Sequence, residues 1–248
     1  MESTPEIPVV VENLSKAFGP QKVLNGVNLQ VASGETLAVL GRSGTGKSVL
    51  LKLLIGLQQP DSGVIKIHGR DIASLELPQL NELRQRIGFL FQQAALYDSL
   101  TVEENVAFPL RRHSTDGASQ LKEKVQDLLK SVGMEKHGRK MPSEISGGMQ
   151  KRVGLARALV LDPDILLFDE PTAGLDPITS SEIDDLIVEL REKRKLTAIV
   201  VTHDIRGAKA FAHRLVLLRD GKIVAEGSFA ELQKNEDRFV QQFVGSLS

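Results

Sequence analysis

The sequence predicts an α/β fold in which a parallel sheet is covered by helices and an α-helical lobe is inserted into the chain. Three observations carry that expectation. Short apolar runs of β character alternate with helical patterns along most of the 248 residues. The stretch between Phe91 and Ile165 breaks the alternation and holds helical spacing only. A glycine-rich turn joins one of the apolar runs directly to a helical pattern at residues 41–48.

The candidate strands are Val9 to Leu14, Asn28 to Val31, Thr36 to Leu40, Gly63 to Ile67, Ile87 to Phe91, Ile165 to Phe168, Thr197 to Val201, Arg214 to Arg219 and Lys222 to Glu226. Those in the middle are nearly all apolar, as buried parallel strands are, while those near the termini are rich in turns and read as antiparallel. Asp220-Gly221 between the last two is a hairpin signal. In the lobe, Leu121, Val125, Leu128 and Leu129 repeat at helical spacing, as do Val153, Ala156 and Leu159 in a helix expected from Lys151. Ser114 to Ser119 is a polar loop. The chain thus reads as a single domain over 1–248, with an α/β core at 1–93 and 161–248 and a helical subdomain at 94–160. The mixed charges from Arg191 to Lys195 read as a solvated helix face.

Composition narrows the partners. Lys plus Arg number 31 and Asp plus Glu 32, so no strong field is available to hold nucleic acid or an anionic bilayer, and a partner recognised through specific contacts is expected. The absence of cysteine excludes disulfides and thiolate metal sites, and the five histidines show no ligand spacing. Met1 to Val11 carries glutamates and prolines where a secretory signal would be basic and then apolar. No apolar run approaches the roughly 20 residues that cross a bilayer as a helix, so membrane association is expected to come through another chain.

Gly41-Arg42-Ser43-Gly44-Thr45-Gly46-Lys47-Ser48 fits the phosphate-loop pattern in its proper context, between a strand and a helix. The pattern arises by chance in about 1% of chains this long, given ordinary residue frequencies. Its glycines let backbone N–H groups approach phosphate oxygens, and the helix that follows turns its positive end towards them. Lys47 would neutralise the β and γ phosphates, and the Ser48 hydroxyl would take magnesium. The chain is therefore expected to bind ATP.

A second constellation lies at Asp169-Glu170, where an apolar run ends in two carboxylates at the edge of the sheet that binds ligands. Asp169 is expected to hold magnesium, and Glu170 to orient or deprotonate the attacking water. His203 follows another apolar strand and is expected at the same edge, contacting the γ phosphate or holding Glu170 and water in line. Gln92, after the strand Ile87 to Phe91, would supply an amide oxygen to magnesium. The catalytic set is thus Glu170, His203 and Lys47, and the magnesium set is Ser48, Gln92 and Asp169.

Ser146, Gly147 and Gly148 precede a helical pattern and form a second anion-binding helix start in one chain. One ATP already enclosed by the phosphate loop cannot also be wrapped by this segment. A head-to-tail dimer resolves the conflict, with Ser146 to Gly148 of each copy capping the γ phosphate held by the other.

These elements, in this order, strongly resemble the ATP-binding cassette of ABC transporters, from Val9 to about Glu231. The resemblance implies a P-loop NTPase core, RecA-like in its parallel sheet and extended by antiparallel strands. It further implies that Phe18 stacks on adenine where the family commonly has tyrosine, that Val49 completes the phosphate loop's contacts, and that Asp176, in Gly174-Leu175-Asp176, lies in the loop linking the two sites of the dimer. Met149 stands where many cassettes have glutamine.

More narrowly, Gly46 to Val49, Ala95 to Pro109, Ser146 to Val153 and Phe239 to Phe243 look like the cassettes of Mla and Mce-type lipid transport systems. That likeness implies an ATPase, with ATP and Mg2+, that energises phospholipid or other lipid transport between membranes. Its partners would be a second copy of the chain, an integral membrane permease dimer touched by Ala94 to Arg112, an Mce-domain lipid-binding protein and a small accessory subunit. Its place would be the cytoplasmic face of the inner membrane. An importer of a polar solute such as an amino acid is the alternative within the family. A regulatory or nucleic-acid-associated cassette is the alternative outside transport, disfavoured by the lack of a long coiled-coil insertion, a second cassette or a basic face.

Overall fold

The computed structural model describes residues 7–114 and 117–245. Met1 to Glu6, Thr115 and Asp116 lie outside the described residues, so the reading of the first residues and the centre of the Ser114 to Ser119 loop falls there in part. The chain divides into two compact units, one formed by residues 1–84 and 195–248 and the other by 85–194.

In the first unit, β1 (Val9–Phe18), β2 (Gln21–Val31), β3 (Thr36–Leu40), α1 (Lys47–Leu54), β4 (Ser62–Ile67), the two-residue β5 (Arg70–Asp71) and α2 (Leu77–Gln85, whose last residue begins the second unit) follow one another. The second unit continues with β6 (Ile87–Leu90), α3 (Val102–His113), α4 (Ala118–Ser131), α5 (Gly147–Leu159), β7 (Ile165–Asp169) and α6 (Pro177–Arg194). The chain then closes the first unit with β8 (Thr197–Thr202), α7 (Ile205–Phe211), β9 (Arg214–Arg219), β10 (Lys222–Gly227), α8 (Phe229–Leu232) and α9 (Arg238–Val244).

The first unit holds an antiparallel sheet in the order β2-β1-β4-β5. It also holds the run β10-β9-β3-β8, in which β3 is parallel to both β8 and β9 and only β10 is antiparallel. Every residue of β3 and β8 is buried, which is why both read as uninterrupted apolar runs without alternation. The hairpin between β9 and β10 turns on Asp220 at φ 50° and Gly221 at φ 74°, two left-handed residues as a tight two-residue turn requires.

The second unit pairs β6 with β7 in parallel. No strand lies between Leu90 and Ile165 among the described residues, in agreement with the helical reading of that stretch. Helix α3 starts on a capping box: Thr101 Oγ1 accepts from the Glu104 N–H, and the Glu104 carboxylate accepts from the Thr101 N–H. Helix α4 buries Val125, Leu128 and Leu129, three of the four apolar residues whose spacing predicted it.

Several boundaries differ from the sequence reading, most by one residue. Helix α5 begins at Gly147, not Lys151, because Ser146 caps it by accepting from the Met149 N–H at 3.3 Å. The two glycines therefore lie inside its first turn. Strand β2 runs for 11 residues; its first half breaks the apolar alternation, with exposed Gln21 and Lys22 before Val23 and the buried Leu24, and Asn25-Gly26 after them. Strand β1 runs four residues past Leu14, to Phe18, where Lys16, Ala17 and Phe18 pair with Leu24, Lys22 and Gln21.

Candidate functional site

Strand β3 delivers the chain to the phosphate loop. A Cβ at Gly41 would stand 2.7 Å from both the Leu218 carbonyl and Thr45 Oγ1, and Gly46, at φ 99°, would place one 2.8 Å from the Val23 carbonyl. The loop is thus packed too closely for side chains at these points. Gly46 is the residue before α1, so the first turn of that helix begins at the loop. Thr45 Oγ1 donates to the Arg42 carbonyl at 2.8 Å and closes the turn.

Lys47 is 5% exposed, and its ammonium donates to the carbonyls of Gly41 at 2.8 Å and Arg42 at 3.1 Å. The amine is folded back over the loop. Ser43 and Gly44 are exposed at the loop tip, and Ser48 and Val49 are half-buried in the first turn of α1. Arg42, also exposed, lies over the Phe239 ring of α9 at 6.0 Å, and Arg219 stacks on the same ring at 4.8 Å.

Leu40 pairs with Thr202 in the parallel register of β3 and β8. Gly41 and His203 are the next residues of the two strands, so the loop and the exposed His203 leave the sheet at one edge. Phe18, at the end of β1, is 46% exposed, with the Lys16 ammonium 5.6 Å from its ring centroid.

In the second unit Leu90 pairs with Phe168, so Asp169 ends β7 where the chain leaves β6 towards Gln92. Asp169 and Glu170 are both buried and Gln92 is exposed. Glu170 has φ 48°, a left-handed conformation that costs a non-glycine residue about 1 kcal/mol or more. Lys151, one turn into α5, donates to the Gln92 carbonyl at 2.5 Å and to the Glu170 carbonyl at 3.1 Å. Burial pushes this lysine down to about 8, against the pull of the Asp169 and Glu170 charges.

Ser146 and Gly147 are exposed, whereas Gly148 is buried against Thr179, whose Cγ2 would stand 2.4 Å from an added Cβ. The Thr179 hydroxyl donates to Asp176 at 2.6 Å, and Asp176 also accepts from the Ile178 and Thr179 N–H groups. These bonds, the Thr179 hydroxyl first, hold the Asp176 carboxyl below the usual aspartate range. The start of α5 and the start of α6 are therefore packed on one another.

The sequence reading passed over Lys151 and Thr179. Lys151 carried a signal, since Leu155 follows it at i+4 and Gly154 at i+3 on a face that turns inward. Nothing in the local pattern marked Thr179. Among the described residues no cluster of three or more His, Cys, Asp or Glu is placed to hold a metal, and no helix is long and apolar enough to cross a membrane.

The profile of the ABC transporter family matches residues 24–173. The chain is 41% identical to the intermembrane phospholipid transport system ATP-binding protein MlaF of Haemophilus influenzae, over 95% of this chain and 89% of that one. It is 42% identical to the probable sulfate/thiosulfate import ATP-binding protein CysA of Chlorella vulgaris, over 96% and 98%. Among solved structures, the dimeric post-hydrolysis state of the ATP-binding cassette MJ0796 bound to ADP and Pi superposes with a TM-score of 0.82 at 35% identity, covering 89% of this chain and 98% of that one. A strand-borne phosphate loop and a buried Asp-Glu pair, in a chain matched over nearly its whole length by such cassettes, lead to one conclusion: the chain belongs to the ABC transporter family, as an ATP-binding subunit that hydrolyses ATP.

Proposed function

We propose that this ATPase energises the movement of phospholipid or another lipid between membranes, as part of a complex in which two copies close on two ATP molecules and reopen after hydrolysis. The observation that carries the lipid reading is the likeness to MlaF over almost the full length of both chains. Closure of two copies is supported by the exposed Ser146 and Gly147 at the start of a 13-residue helix, a second set of phosphate-binding donors that a single copy has no use for. The dimeric state of MJ0796 supports it independently.

The roles follow from chemistry. The loop from Gly41 to Val49 takes the phosphates, with Lys47 countering their charge, and Phe18 stacks on the base. Ser48, Gln92 and Asp169 offer hydroxyl, amide and carboxylate oxygens, the hard donors that magnesium prefers, and the ion would neutralise charge developing on the phosphates. Glu170 takes the proton of the attacking water, and His203 holds the γ phosphate or the water in line. Ser146 to Gly148 of the other copy cap that phosphate, and Asp176 lies in the loop that informs one site of the other. In this reading 94–160 is a helical subdomain inserted into a core of 1–93 and 161–248.

The membrane partner is a permease dimer at the cytoplasmic face of the inner membrane, with an Mce-domain lipid-binding protein and a small accessory subunit. An open groove of about 400 Å³ in the second unit supports a permease contact; Phe89, Phe91, Tyr97, Phe108 and Pro109 line it, and Tyr97 is 47% exposed. The equal likeness to CysA favours import of a polar solute as the second reading. Reconstitution of the complex purified through this chain into liposomes separates the two. ATP-dependent transfer of labelled phospholipid, lost with Lys47→Ala, is expected; ATP-driven sulfate or amino-acid uptake without lipid transfer would contradict the proposal.

A further inference from the structure

Helix α5 carries a second device besides its exposed start. Its Lys151 is 5% exposed, and the ammonium sits between two backbone carbonyls that belong to different parts of the second unit, those of Gln92 and Glu170. One of these carbonyls, and the turn that follows the other, lie in unusual backbone. Glu170 is left-handed at φ 48°, and the turn after Gln92 contains two consecutive left-handed alanines, Ala94 at φ 57° and Ala95 at φ 47°. Conformations of this kind persist only where surrounding contacts enforce them.

Besides the local turns, in which Ala94 N–H donates to the Phe91 carbonyl and Ala173 N–H to the Glu170 carbonyl, helix α5 supplies contacts to both segments. Two turns beyond Lys151, the Arg157 guanidinium donates to the Ala94 carbonyl at 2.6 Å and to the Ala95 carbonyl at 2.8 Å. Arg157 thus pins the turn that follows Gln92, while Lys151 joins Gln92 itself to Glu170. A hydrogen bond from a cation to a carbonyl is stronger than one between neutral groups, and two of them fix both position and direction.

We propose that Lys151 is a positioning residue for ATP hydrolysis, holding the backbone of Glu170 and Gln92 to α5 so that the Glu170 carboxylate faces the attacking water. The proposal rests on the reading of Glu170 as the base. Lys151 touches neither water nor nucleotide in this scheme. Its removal therefore acts on the turnover step, where a small misplacement of a catalytic group costs roughly a hundredfold, and leaves nucleotide capture by the phosphate loop alone.

The test uses the chain in its purified complex and compares Lys151→Met, which keeps the length of the stem, with Lys151→Arg, Glu170→Gln and wild type. Lys151→Met is expected to lower kcat about tenfold or more while the KM for ATP stays within twofold and the melting temperature within a few degrees. Lys151→Arg should recover most of kcat, since a guanidinium can bridge the same carbonyls. Lys151→Met at the wild-type rate, equal impairment of the Met and Arg variants, or a loss of kcat accompanied by an equal rise in KM would overturn the proposal. Should Lys151→Met fail to fold, Lys151→Gln carries the same comparison. Glu170→Gln at the wild-type rate would instead remove the underlying reading of the base, a result that Lys151 variants cannot produce.

Discussion

Leu40 of β3 faces Thr202 of β8 in the parallel register, which brings the phosphate loop and His203 off the sheet as neighbours. A histidine so placed can touch the γ phosphate or its attacking water without contributing to the capture of the α and β phosphates. His203→Ala is accordingly expected to lower kcat by about a hundredfold, within the usual range for a positioned proton-transfer group, with nucleotide affinity changed by less than threefold. Phosphate release and equilibrium nucleotide binding read the two effects; equal losses in both would refute the assignment.

Lys47 meets the loop differently. Its ammonium is buried and already bound to the Gly41 and Arg42 carbonyls, so its charge is desolvated in advance of the phosphates. Removing one charged hydrogen-bond donor costs about 1.5–3 kcal/mol. Lys47→Ala should therefore weaken ATP binding roughly ten- to hundredfold by calorimetry. Unchanged affinity would mean that the loop does not hold phosphate in the way described.

Gly148 and Thr179 offer a paired test. An alanine at 148 must push away Thr179 Cγ2, and with it the hydroxyl bonded to Asp176. Gly148→Ala is expected to abolish most ATPase activity, and Thr179→Ser, which removes the methyl and keeps the hydroxyl, should restore a large part of it in the double variant. Such non-additivity is the signature of direct contact. If the double variant is no better than Gly148→Ala alone, steric pressure on Thr179 is not the cause.

Asp176 gives a pH dependence with a defined sign. Its folded pKa is lowered by the Thr179 and Ile178 donors, so the stabilisation they give is complete above the ordinary aspartate value of about 3.9 and is lost as pH falls through the lower folded value. Acid, not base, loosens the start of α6. An NMR titration of the side-chain carboxyl should place its midpoint below that of free aspartate and bring it back up in Thr179→Ala. A midpoint at or above the ordinary value in the wild type would count against these hydrogen bonds.

Much of this was legible in the sequence because buried parallel strands and the phosphate loop are local signals. The predicted bounds Thr36 to Leu40 and Arg214 to Arg219 match the observed strands, since each holds an uninterrupted buried apolar run, Leu37 to Leu40 and Leu215 to Leu218. The first half of β2 does not show, because adjacent Val23 and Leu24 between polar residues and Gly26 make no alternation that a pattern could catch. The start of α5 was misplaced for a related reason: two glycines disfavour a helix interior, and only the Ser146 cap shows that they are inside one. The roles of Lys151 and Thr179 depend on contacts across 19 to 59 residues, or on close packing between two helix starts, and such contacts leave no local trace.

In the proposed function each copy supplies only half of a working site, with the phosphate loop on one and Ser146 to Gly148 on the other. The most direct measurement is phosphate release per subunit as the purified chain is diluted through its monomer–dimer transition at saturating ATP. Turnover per subunit is expected to fall steeply as dimer disappears, and mixing Lys47→Ala with Ser146→Arg copies should restore activity through the single intact site each mixed pair contains. Turnover per subunit that stays constant down to the monomer would contradict it.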